Sequence, residues 1–137
     1  MELIRRAYEV MSAGSAFEKD WNWFFTECAH ADCELRPAQG RLPDVGEQRI
    51  RGRDGFERFW QGLADASQDL RFALEEALPA PEDQIVAVVR ATGRGRASGV
   101  PLDFREAHVW RMREGKAARI DAYLELDDAL RAVSLTQ

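Results

Sequence analysis

The chain has 137 residues, 45% hydrophobic and 31% charged, a size and balance that predict one globular domain over residues 1-137 rather than a disordered or membrane chain. Its formal charge of -5 argues against a nucleic-acid partner, since such affinity rests on Lys and Arg neutralising phosphates, and the short clusters Arg51/Arg53 and Arg94/Arg96 do not change that balance. No stretch nears the roughly 20 apolar residues of a membrane span, so no membrane partner is expected.

The opening Met1-Glu2-Leu3-Ile4-Arg5-Arg6 lacks the long apolar run of a secretory leader. Leu3, Ile4, Ala7, Tyr8 and Met11 then recur at three- and four-residue spacings and predict a helix that stops at Gly14. Phe17, Trp21, Phe24, Phe25 and Cys28 share the face of a second helix whose aromatic density predicts packing on a sheet. Trp23 falls off that stripe, toward a pocket mouth, a partner or solvent. Cys28 and Cys33 are too few and too close for a disulfide framework or a four-ligand zinc site, which with the missing leader predicts a cytoplasmic protein.

Asp32 to Arg36 reads as a short strand, and Pro37 to Gln48, with its prolines and glycines, as a loop. Asp54 is the expected N-cap of a third helix carrying Phe56, Phe59, Trp60 and Leu63. After Ser67 the period becomes two. Leu70, Phe72 and Leu74 point one way, Arg71 and Glu75 the other; Ile85 to Thr92 is a β-branched run. Gly93 to Gly99 resembles a phosphate-binding glycine loop only superficially, because strand follows strand there, and it is expected to be a hairpin connection or pocket rim.

Pro101 to Met112 sets Leu102, Phe104, Glu106, His108, Trp110 and Met112 on one face. A turn at Glu114-Gly115 leads to a last strand with Ile120, Ala122 and Leu124 on one side, and Asp127 to Val133 reads as a terminal helix. Helices first and meandering strands second predict an α+β domain with helices on one face of the sheet.

Among chemistry-bearing residues, His108 stands out because its parity places the ring among Phe104, Trp110 and Met112, where it needs a hydrogen-bond partner. It is either a core histidine satisfied by a backbone carbonyl or by Glu106, or a pocket donor and general acid/base. Arg36, beside Pro37, either snorkels outward or lines a cavity mouth. Trp60 serves core packing or ligand contact. His30 and His108 show no metal-ligand spacing, so neither metal nor cofactor is expected.

The order of these elements, with Tyr8-Glu9-Val10-Met11-Ser12-Ala13-Gly14, His30-Ala31-Asp32-Cys33-Glu34-Leu35, Arg51-Gly52-Arg53-Asp54-Gly55-Phe56, Ser98-Gly99-Val100-Pro101, Ala107-His108-Val109-Trp110-Arg111-Met112-Arg113-Glu114-Gly115-Lys116 and Tyr123-Leu124, resembles the SnoaL-like branch of the nuclear transport factor 2-like, ketosteroid isomerase-like superfamily over nearly the whole chain. The resemblance implies a cone-shaped, strongly curved mixed or antiparallel sheet, with three N-terminal helices on its concave side enclosing a cavity, and homodimers formed through the sheet. One fold hosts many reactions, so the site must decide.

Carried over by position, His108 matches the place where ketosteroid isomerases hold an oxyanion-donating aspartate. Their general base falls at Arg36 or Pro37 and their tyrosine near Ala7, one position from Tyr8, which disfavours that mechanism. The water-activating Arg-x-Asp of limonene-type epoxide hydrolases meets Val89-Arg90-Ala91, and its second aspartate meets Ala122. For aldol-type cyclases, Glu106 or Asp121 offers a carboxylate; alternation turns Asp121 away from Ile120 and Ala122, leaving Glu106 with His108 as the inward pair. The expectation is a small hydrophobic or polycyclic ligand held by Tyr8, Arg36, Trp60, Phe104, Trp110 and Met112, with acid/base work by His108 and Glu106. The alternative is a non-catalytic module whose cavity is filled by Trp60, Trp110 and Met112.

Overall fold

The computed structural model describes residues 2–12, 20–38 and 49–134. Helix α1 (Glu2–Ser12) is followed by a short α2 (Trp21–Trp23) that continues as a π-helical turn, Phe24–Cys28. Strands β1 (Ala29–Arg36) and β2 (Ile50–Arg51) precede helix α3 (Gly52–Ala66), and then come β3 (Ser67–Ala80), β4 (Gln84–Gly95), β5 (Pro101–Arg113), β6 (Lys116–Tyr123) and helix α4 (Leu126–Ser134). The strands form one open sheet in the order β2-β1-β6-β5-β4-β3. It is mixed: β1 runs parallel to β6, whereas the other pairs are antiparallel.

Local chemistry sets the boundaries. Asp20 caps α2, its carboxylate accepting the Trp23 N–H at 2.9 Å, so the second helix is shorter than its aromatic stripe predicts; Phe17 lies outside the described residues. Strand β1 starts three residues before Asp32, and β6 ends one short of Leu124. Asp54 is not the N-cap of α3. Gly52 adopts φ +71, a conformation open to glycine, and carries the chain from β2 into the helix, so Asp54 falls in the first turn, where its charge complements the helix dipole.

Glu114 and Gly115 form the expected two-residue hairpin turn, with φ of +53 and +80 as a type I′ turn demands. The glycine-rich segment joins β4 to β5, closed by the Gly95 N–H on the Val100 carbonyl at 2.9 Å. Within it, Arg96 donates to the carbonyls of Ala64 and Ser67, satisfying the C-terminal end of α3.

The two faces of the sheet are covered differently. On one, α1, the α2/π segment and α3 bring Ile4, Ala7, Tyr8, Met11, Trp21, Phe24, Cys28, Phe56 and Trp60 against Ala87, Val89, Trp110, Ala117 and Ile120. On the other, Ala129 and Val133 of α4 cover Val86, Ala107 and Val109. An irregularity between Leu74 and Glu76 reverses the parity of β3, which is why Leu74 packs on the helix-covered face and Leu78 on the other. As an edge strand β3 is protected: the Ser12 hydroxyl donates to the Phe72 carbonyl and accepts the Phe72 N–H, both at 2.9 Å.

Candidate functional site

Strand β5 positions the site by alternation. Its even-numbered residues from Glu106 to Met112 face α1, α2 and α3, and its Ala107 and Val109 face α4. His108 lies between Ala87 on β4 and Ala122 on β6. Two small flanking side chains leave room above the imidazole for the Tyr8 ring, which lies nearly parallel to it at 24° and 5.7 Å between centroids. Trp110 meets the same tyrosine edge-on.

These side chains form one hydrogen-bond chain. The Trp110 indole N–H donates to Tyr8 Oη at 2.9 Å, Tyr8 Oη lies 2.7 Å from His108 Nδ1, and His108 Nε2 lies 2.9 Å from Glu106 Oε1. Trp110 and Tyr8 are fully enclosed, while the His108 and Glu106 side chains retain 11% and 16% exposure. The chain therefore runs from a dry interior to a carboxylate that solvent touches. Beyond Glu106 on the same strand, Leu102 and Phe104 are half-buried. Burial pushes the Tyr8 phenol far above its ordinary 10.0, outweighing the opposing effect of the Trp110 hydrogen bond, so Tyr8 acts as a neutral O–H donor.

Burial likewise pushes the thiols of Cys28 and Cys33 from 9.0 up to about 12. All three groups hold protons in the folded state where the unfolded chain has released them. The stability this gives is complete below about pH 9 and falls as pH rises, by up to about 1.4 kcal/mol per pH unit for each group. Urea midpoints should be level from about pH 7 to 8.5 and drop steeply above about pH 10; a flat profile to about pH 11 would contradict the burial of these protons.

The residues singled out by sequence fall into three places. Tyr8, Glu106, His108 and Trp110 are joined in the chain just described. Met112, Trp60 and Phe104 lie around the same face or strand: Met112 packs on the core, and Trp60 is buried edge-to-face on Phe72 at 5.3 Å. Arg36 is elsewhere. It pairs in register with Asp121, and its guanidinium lies 3.9 Å from that carboxylate, on the face opposite Leu35 and Ile120. Trp23 packs on the edge of the core beneath the Arg6 guanidinium, 4.9 Å from the ring centroid.

Sequence reading missed what surrounds Asp121. This buried carboxylate receives Arg119 Nε at 2.8 Å and Arg111 Nε at 3.3 Å, and Arg111 also donates to Gln84 Oε1 at 2.6 Å. Alternation gives the face of Asp121, but the convergence of β1, β5 and β6 upon it depends on strand order. His30 is separate, its Nε2 2.6 Å from the Arg113 carbonyl. Among the described residues, no three His, Cys, Asp or Glu side chains gather as a metal site, and no helix is long and apolar enough to cross a membrane.

Comparison with known proteins agrees with this architecture. No curated protein matches the sequence significantly. Among solved structures, a nuclear transport factor 2-like protein of unknown function from Burkholderia pseudomallei is 19% identical, with a TM-score of 0.72 over 98% of this chain and 96% of its own. TerC, co-crystallised with polyporic acid, is 20% identical with a TM-score of 0.71, covering 96% and 95%. A protein with a ketosteroid isomerase-like fold from Catenulispora acidiphila, in complex with trimethylamine, is 14% identical with a TM-score of 0.70, covering 97% and 92%. At these identities the likeness is one of fold. The model of the SnoaL-like domain matches residues 4–120, and the chain belongs to that family.

Proposed function

We propose that this protein binds a small hydrophobic or polycyclic molecule over the helix-covered face of its sheet and carries out cofactor-free acid/base chemistry on it, as an isomerase, cyclase or lyase, with Glu106 and His108. The observation that carries the reading is the Glu106 carboxylate: partly exposed, beside half-buried Phe104, and held at 2.9 Å by a histidine that is itself held from the interior. In this role Glu106 takes a proton from a ligand C–H next to a carbonyl, the bonding pair moving toward that carbonyl to give an enolate while the proton rests on the carboxyl group. His108 fixes the orientation of the carboxylate. Tyr8, Trp110, Phe104, Met112 and Trp60 would shape the apolar surround. The sheet would curve into a cone whose wide end the helices close over a cavity.

The test is turnover of a substrate found by screening aromatic and polycyclic ketones. Glu106→Gln should lower kcat by at least about a hundredfold, in the range that general-base catalysis contributes, and His108→Ala should lower it less. Full activity in both folded variants would refute the mechanism. One observation favours the non-catalytic alternative: Trp110 and Trp60 are buried at 0% and 7% exposure, as fillers of the interior would be. Under that reading no apolar probe binds the folded protein.

The reading also includes a cytoplasmic homodimer. Its interface would be the sheet face that α4 covers, where Leu126 and Leu130 stand exposed at 37% and 38%. Sedimentation should then give twice the chain mass, and Leu130→Glu should give the monomer.

A further inference from the structure

The hydrogen-bond chain can be resolved atom by atom. Tyr8 Oη has one proton and two lone pairs, and one lone pair accepts the Trp110 N–H, which can only donate. Among the described residues, the other hydrogen-bond partner of Tyr8 Oη is His108 Nδ1 at 2.7 Å. Were Nδ1 protonated, both would be donors toward each other, or the phenol would turn its proton into an apolar interior with no other acceptor for it among the described residues, at a cost of about 1–3 kcal/mol. With Nδ1 bare, the phenol donates to it and every group is satisfied. Nε2 then carries the proton and faces Glu106 Oε1 at 2.9 Å, again donor to acceptor. The opposite tautomer would set a bare nitrogen against a carboxylate oxygen.

We infer that Tyr8 and Trp110 are positioning residues that lock His108 as its Nε2–H tautomer, so that the ligand meets a hydrogen-bond acceptor at Glu106 and the site selects molecules carrying an O–H or N–H donor over anionic ones. The selectivity half rests on the proposal that Glu106 faces the ligand; the tautomer half does not. Each donor in the chain is consumed by the next acceptor: indole to phenol, phenol to Nδ1, Nε2–H to carboxylate. Its solvent-side end is therefore a carboxylate with lone pairs on Oε2 and no proton to offer. A flat apolar ligand with a phenol, enol or amine group complements such an end beside Phe104, whereas a carboxylate ligand brings like charge to it.

Two measurements on the full chain separate these halves. Long-range ¹⁵N–¹H spectra, with His108 assigned by the His30→Gln variant, should show an unprotonated Nδ1 and a protonated Nε2. Tyr8→Phe removes the donor to Nδ1 and should move the Nδ1 resonance toward that of a ring nitrogen that accepts no hydrogen bond, while Glu106 still holds the Nε2 proton. A protonated Nδ1 in the wild-type protein, or an unchanged spectrum in folded Tyr8→Phe, would overturn the positioning role whatever binds.

The second measurement titrates three probes of one skeleton: 2-naphthol, naphthalene and 2-naphthoate. The naphthol should bind at least about tenfold more tightly than the other two, the size expected for a hydrogen bond to a charged acceptor, and Glu106→Gln should shrink its margin over naphthoate. Naphthoate binding as tightly as naphthol would overturn the selectivity. Failure of all three to bind, with the tautomer signature intact, would overturn the ligand-facing role of Glu106 and the selectivity with it, and would leave the lock standing.

Discussion

Replacing Trp110 with alanine should destabilise the fold by about 4 kcal/mol, at the upper end for a large-to-small core change. The indole is 0% exposed, and it packs edge-on against Tyr8 beneath α1. Its removal leaves a cavity between sheet and helix that Ala87 and Ile120, short or held in strands, are poorly placed to fill. It also strips Tyr8 Oη of its donor. Trp110→Phe separates these effects. Phenylalanine keeps most of the volume and loses the N–H, while the phenol still satisfies its proton on His108, so the cost should fall to about 1–2 kcal/mol. Urea unfolding of both variants gives the comparison, and equal losses would mean that volume is not what Trp110 supplies.

How much of this was legible in the sequence follows from the range over which each interaction acts. Alternation along β5 is local, so the common face of Glu106, His108 and Trp110 and the opposite orientation of Asp121 could be read from parity. The two-residue turn at Glu114-Gly115 was legible for the same reason. The pairing of Tyr8 with His108 spans 100 positions, and no local pattern encodes it; only the family resemblance brought Tyr8 near the site, and it did so one position off. The parity reversal of β3 near Glu75 escaped because an irregularity leaves no signature in an alternating run. The cap of α3 went to Asp54 by propensity, whereas tertiary geometry gave the entry turn to Gly52. Arg36 could be placed at a strand end. Its face depended on β1 running parallel to β6, a pairing between distant segments.

Asp121→Leu is the second change expected to cost the most, about 3–5 kcal/mol, the range for breaking a buried ion pair from one side. The carboxylate is 3% exposed and stands between guanidinium groups from three strands, Arg36 on β1, Arg111 on β5 and Arg119 on β6. Arg111 and Arg119 are direct cross-strand partners. Like charges so placed repel, and Asp121 turns that repulsion into two charge-assisted hydrogen bonds. Removing it leaves the cations facing each other beside the apolar patch under α4, with only part of each side chain able to reach water. The repulsion predicts a salt signature: the deficit of Asp121→Leu should shrink as sodium chloride is raised toward about 1 M, where the Debye length falls to about 3 Å. Adding Arg119→Met to Asp121→Leu should recover about half of the loss, because it removes one of the opposed charges and keeps the apolar stem. A single-variant cost below about 1 kcal/mol, or a double variant no more stable than the single, would show that Asp121 does not hold β5 and β6 together electrostatically.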